Sequence, residues 1–163
     1  MTQKELLIAW LNDAYALEKA LVPVLENHAK DAKDHPKIQA RDEEHLEETR
    51  RHAELVKGCL ERLGETPSTA KQVLGTLFGA MQAPATGMYR DEIVKNFLTD
   101  FAAENFEIAS YEALVHAAEE MGEMEIAATC RGILEDERRM ASWLLENLPD
   151  VVREQCRQAA HAT

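Results

Sequence analysis

The sequence contains no CxxC pair: its three cysteines, Cys59, Cys130 and Cys156, lie far apart along the chain. Such spacing encodes neither a disulfide framework nor a zinc or rubredoxin-type sulfur site, and it fits a reducing compartment, so a cytoplasmic, bacterial-style soluble protein is the expectation. No stretch reaches the ~18 consecutive apolar residues of a membrane span. No small-residue cleavage site follows a continuous apolar run near the N-terminus either. Positive charge is scarce: 18 Lys and Arg stand against 30 Asp and Glu, for a net charge of -12 and a pI of about 4.9. Such a surface repels phosphate backbones and anionic lipid, so nucleic acid and membranes are poor partners and metal cations better ones. With only seven Gly and five Pro, the composition suits a compact helical protein rather than a disordered or all-β one. Its 163 residues are enough for one domain with a real core.

What the chain does have is helical periodicity, interrupted in an unusual way. Residues 2–31 read as a first helix, with Thr2 as N-cap, Glu5 three residues later, and Leu7, Leu11, Ala14, Glu18, Leu21 and Leu25 in one stripe. Pro23 is expected to kink it. A second helix is expected over 36–63, opening on Pro36 and stopping at Gly64, with Ile38, His45, Glu48, His52, Leu55 and Cys59 in its stripe. Between Gln39 and Arg51 apolar residues almost vanish, so something other than packing must account for that half-helix. Residues 64–88 form one long connection, in which Val73, Leu74, Leu77, Phe78 and Met81 suggest a short amphipathic helix. The third helix, about 89–121, carries Val94, Phe97, Phe101, Glu104, Ile108, Tyr111 and Val115 at steps of three and four, with Glu107 one turn beyond Glu104. The fourth, about 123–148, carries Ile126, Cys130, Ile133, Glu137, Met140 and Leu144; Pro149 is expected to stop it, leaving a short fifth helix after it.

Two short turns and one long crossover are the connection pattern of a ferritin-like four-helix bundle. The expected fold is therefore all-α, an up-down bundle with a crossover helix and a short C-terminal helix. Glu18, Glu48, Glu104 and Glu137 then fall near mid-helix, one per long helix, at compatible distances from their turns. Any one of them alone is ordinarily a carboxylate reaching water at the edge of an interface. Four together in a low-dielectric core are prohibitively costly unless something neutralises them. Two divalent cations do so, and an oxygen-rich donor set suits Fe or Mn. Cys59 and Cys130 sit at apolar stripe positions and read as small core residues, while His28, His116 and His161 read as ordinary surface or interface residues.

The segments DAYALEKAL (13–21), HLEET (45–49), ENFEIASYEAL (104–114) and LEDER (134–138) give the chain a resemblance to the YciE/YciF-type branch of the ferritin-like superfamily. The resemblance implies a carboxylate-bridged di-metal centre, a link to stress responses and a homodimer. It departs from the wider ferritin and rubrerythrin pattern, which places Glu-x-x-His on the second and fourth helices: here Glu48 is followed by Arg51 and Glu137 by Met140. On the second helix either His45 or His52 is placed to supply nitrogen. On the fourth helix no histidine is near, and Glu107 is the candidate to complete the set, as rubrerythrin-like proteins pair two Glu at this spacing. The expected ligands are Glu18, His45, Glu48, Glu104, Glu107 and Glu137. The chemistry implied is oxidation of Fe(II) or consumption of peroxide, drawing on an external reductant because no rubredoxin domain is present. The alternative is a metal-poor structural or interaction protein that retains the bundle.

Overall fold

The computed structural model describes residues 1–68 and 91–161. Within them the chain forms α1 (Gln3–Asp31), a 3-10 turn (Ala32–Asp34), α2 (Pro36–Arg62), α3 (Glu92–Glu120) and α4 (Met124–His161). The short helix expected around 73–81 falls outside the described residues. No described helix is long and apolar enough to cross a membrane.

Each boundary has a local cause. Thr2 and Glu5 form a reciprocal capping box that satisfies two otherwise orphaned N–H groups at the start of α1. Pro36 occupies the first turn of α2, where its missing N–H costs nothing. Gly64 and Gly122 end α2 and α3 at φ of 84° and 73°, a left-handed conformation that side chains disfavour. At both ends the following residue bonds back across the last turn, Glu65 N–H to the Leu60 carbonyl at 3.0 Å and Glu123 N–H to that of Ala118 at 2.8 Å.

The two internal prolines behave alike. α1 continues through Pro23, and α4 continues through Pro149 instead of stopping there, so the separate C-terminal helix expected from the sequence is the last part of α4. Both prolines lie on exposed turns, and the carbonyls they free, of Lys19 and Leu145, belong to exposed residues where water can bond them. Beyond Pro149, Val151 is buried against a cluster that includes Ala32, Ile38, Phe97 and Leu144. That burial offsets the ~3 kcal/mol a helix-interior proline costs.

α1 packs chiefly on α2 and α3 on α4, and the two hairpins meet through α1–α3 and α2–α4. α1 runs antiparallel to α3, since Glu18 lies level with Tyr111 and His28 with Asp100. α2 therefore finishes at one end of the bundle and α3 begins at the other. An apolar cluster fills the end where α2 stops, with Leu11, Leu60, Leu114 and Ile126 at its heart. The cluster around Phe97, Met140 and Leu144 fills the opposite end. Between them a smaller apolar cluster of Leu17, Leu21, Leu25, Leu46 and Ala103 shares the core with a group of buried polar side chains.

Candidate metal centre

All four helices send carboxylate or imidazole groups into that middle layer. Glu18 comes from α1, His45 and His52 from α2, Glu104 and Glu107 from α3 and Glu137 from α4, and all six are buried. Two groups of donor atoms lie within 4.8 Å of one another: Glu18, His52 and Glu137, and His45, Glu104 and Glu137. Glu137 belongs to both. The question of which histidine turns inward resolves as both.

The contacts are close without being hydrogen bonds. His45 Nε2 lies 2.9 Å from Glu104 Oε1, and His52 Nδ1 lies 2.8 Å from Glu137 Oε1. Yet both nitrogens lack an aligned hydrogen-bond partner, as do Glu18 Oε2, Glu104 Oε2, Glu107 Oε2 and both oxygens of Glu137. Buried polar atoms normally find partners, because each one left bare costs roughly 1–3 kcal/mol. Seven orphaned atoms in one layer, all lone-pair donors, are what a cation would satisfy. The residues present therefore fit a metal centre, with two imidazoles and four carboxylates of the kind that iron and manganese accept.

The other face of each imidazole is held. His52 Nε2 lies 3.0 Å from Asp136 Oδ2, and Asp136 is itself clamped by Arg51 at 2.7 Å and by Arg139. His45 Nδ1 lies 3.4 Å from Glu48 Oε2, which Arg41 Nη1 approaches at 3.3 Å. A carboxylate on the remote nitrogen fixes ring orientation and makes the inward nitrogen a better base. Glu48, expected as a ligand, lies at the margin of the centre with its Oε2 approached by His45 and Arg41. Asp136 was missed by the stripe pattern altogether. On the α1 side the Tyr111 hydroxyl donates to Glu18 Oε1.

Electrostatics follow from burial. Desolvation, with the Glu137 charge beside it, pushes Glu18 up to about 8. Glu104 also rises to about 8, because desolvation and Glu137 outweigh the stabilising His45. Burial and the charges of Glu137, Glu18 and Glu104 hold Glu107 well above the carboxylate range. Burial works against charge on His52, yet Glu137, Glu18 and Asp136 lift it to about 9. Without cations the centre fills with protons. Metal and protons then compete for the same lone pairs.

A second polar group lies one turn away, towards the end where α3 begins. His28 Nδ1 lies 2.8 Å from Asp100 Oδ1, so His28 is a buried paired residue rather than a surface one. Asp42, also buried, is raised to about 7 by desolvation and by Asp100. This group and the centre together account for the apolar gap in the first half of α2.

An all-α bundle whose core layer is built from carboxylates and imidazoles of four helices defines a ferritin-like protein. A family model matches residues 2–157, and the chain belongs to that family, the Domain of unknown function (DUF892). A protein of known structure from Xanthomonas campestris is 36% identical over 98% of this chain and 99% of its own, with a TM-score of 0.84. The E. coli stress protein YciF is 24% identical over 94% and 98% of the two chains, with a TM-score of 0.78. The Desulfovibrio desulfuricans bacterioferritin, described as having a diiron site, is 20% identical over 98% and 87%, also at 0.78. The last two similarities establish the fold, which is that of the YciF-type ferritin-like bundles.

Proposed function

We propose that this protein is a cytoplasmic stress-response oxidoreductase whose core holds two iron or manganese ions and uses them to oxidise Fe(II) or consume peroxide. The observation that carries the reading is the convergence of seven unpartnered buried donor atoms in one layer. Glu18 and His52 would hold one ion and His45 and Glu104 the other, with Glu137 shared between them. Glu107 supplies a further buried carboxylate facing the same charges. In this reading Glu48 positions His45 through Oε2, which it shares with Arg41. The ions, when bound, would supply redox chemistry that carboxylates and imidazoles do not offer.

The chain's own residues then have separate tasks. Asp136 and Glu48 orient the two imidazoles. Tyr111 fixes Glu18 and keeps its own proton, since burial and the adjacent carboxylates hold its hydroxyl well above the usual range. The apolar clusters on either side exclude bulk water from the layer. We further propose a homodimer served by an external reductant.

The competing reading is a structural bundle that keeps these carboxylates without metal, motivated by the absence of Glu-x-x-His on α2 and α4. Metal analysis of protein produced with iron and manganese separates the two. About two ions per chain, removed by chelation with a fall in melting temperature, supports the centre. A content near zero, with melting indifferent to EDTA, refutes it.

A further inference from the structure

Two buried thiols face each other in register with the centre. His52 on α2 and Glu137 on α4 meet at 2.8 Å. Cys59 follows His52 by seven residues, and Cys130 precedes Glu137 by seven. Because α2 and α4 run antiparallel, equal steps along each helix stay level. Seven residues is also close to two full turns, so both side chains return to the inward face. Both cysteines are free, buried and part of one cluster, with Val56 and Ile133 of the same cluster filling the interval to the centre. The two thiols also bias each other: Cys130 is the largest influence on the Cys59 thiol and lowers it, helped by Thr129 and Arg62, while Cys59 raises the thiol of Cys130. The pair thus has a better thiolate former and a better-protonated partner, about 10 Å along the bundle axis from the His52–Glu137 contact.

We propose that Cys59 and Cys130 form a dithiol–disulfide couple that supplies two electrons to peroxide consumed in the bundle core. The step balances within named groups. Two S–H bonds break and one S–S bond forms. The two electrons and two protons pass to hydrogen peroxide, whose O–O bond breaks to give two waters. A thiol-bearing reductant outside the protein then reopens the disulfide by exchange, which gives the external donor a defined point of action. The inference rests on the proposed metal centre for the site where peroxide is consumed.

The test uses the full chain carrying Cys156→Ser, which removes the exposed thiol and leaves the core intact. Reduced protein is loaded anaerobically with Fe(II), or left metal-free, given two equivalents of hydrogen peroxide per chain, one for the electrons of two Fe(II) ions and one for those of the two thiols, quenched in acid and alkylated. Metal content and peptide masses are read from the same sample. The expected result is a Cys59–Cys130 cross-linked peptide in most iron-loaded chains by the time peroxide is gone. Metal-free chains should form it at least about tenfold more slowly, since buried thiols are poor direct targets. Cys59→Ala and Cys130→Ala variants should each lower peroxide consumed per iron-loaded chain by one equivalent. Iron bound with both thiols still alkylated overturns the couple and leaves the centre standing. Equal cross-linking with and without iron overturns the coupling between them. Absence of bound iron refutes the centre itself, and with it the role assigned to the thiols.

Discussion

In one half of the centre Glu18 and His52 converge with Glu137, and in the other His45 and Glu104 converge with the same Glu137. The donor types match, but their supports do not. His52 is backed at 3.0 Å by Asp136, which two arginines clamp, and Glu18 takes a hydrogen bond from Tyr111. His45 is backed at 3.4 Å by Glu48, whose Oε2 is shared with the single guanidinium of Arg41 at 3.3 Å. Glu104 has no hydroxyl to hold it: its close neighbour is His45 itself. Orientation by outer partners is what turns a loose set of donors into a tight site. The Glu18 half is therefore the more preorganised, and it should fill first and hold its ion longer.

The largest expected effect is the one that erases the difference. Glu137→Ala removes the donor common to both halves, so metal content should fall from about two ions per chain to near zero. Retention of one ion would mean that one half stands without the shared carboxylate. Next come the changes confined to one half. His52→Ala and His45→Ala should each leave about one ion per chain, and under limiting metal only His52→Ala should slow uptake of the first equivalent. Identical uptake curves for the two variants would break the asymmetry.

A smaller effect separates the supports from the ligands. Asp136→Asn leaves all six inward groups in place but weakens the hold on His52, and metal affinity should drop roughly 10- to 100-fold. Glu48→Gln acts on a longer contact, 3.4 Å against 3.0 Å, and should cost less than about tenfold. Competition titrations with a chromogenic chelator read both. The opposite ranking would assign tighter control to the Glu48 contact.

How much of this was legible in the sequence depended on whether a residue's position or its partner decided its role. Glu18, Glu104 and Glu137 are buried where the stripes of α1, α3 and α4 placed them, because inward direction follows from about 100° per residue. The same arithmetic, applied to angle instead of spacing, separates Glu48 from its neighbours. His45 and His52, seven apart, point within about 20° of each other, whereas Glu48 lies about 60° from His45, at the edge of the face. Asp136 sits about 100° from Glu137, off the stripe, and only the contact with His52 reveals it. His28 likewise owes its burial to Asp100 on another helix. The end assigned to α4 at Pro149 failed for a related reason: the local cost of proline was readable, but the burial of Val151 that helps offset it is tertiary.

The smallest expected effect concerns protons and should be shared by the halves. Glu18 and Glu104 are both raised from 4.5 to about 8, one in each half. The folded, metal-free protein therefore keeps protons on both that the unfolded chain has already released. Between about pH 4.5 and 8 unfolding releases protons, so raising pH favours the unfolded state and stability falls across that window. His52, raised from 6.5 to about 9, adds a loss of the same sign at the upper end. The melting temperature of metal-free protein should fall by roughly 5 °C or more from pH 5 to pH 8. Loaded protein should show a much flatter profile there, because cations have displaced those protons. Glu18→Gln and Glu104→Gln should each remove a similar part of the metal-free slope. If one of them flattened the profile alone, the equal burial of the two carboxylates would not be what sets their charge.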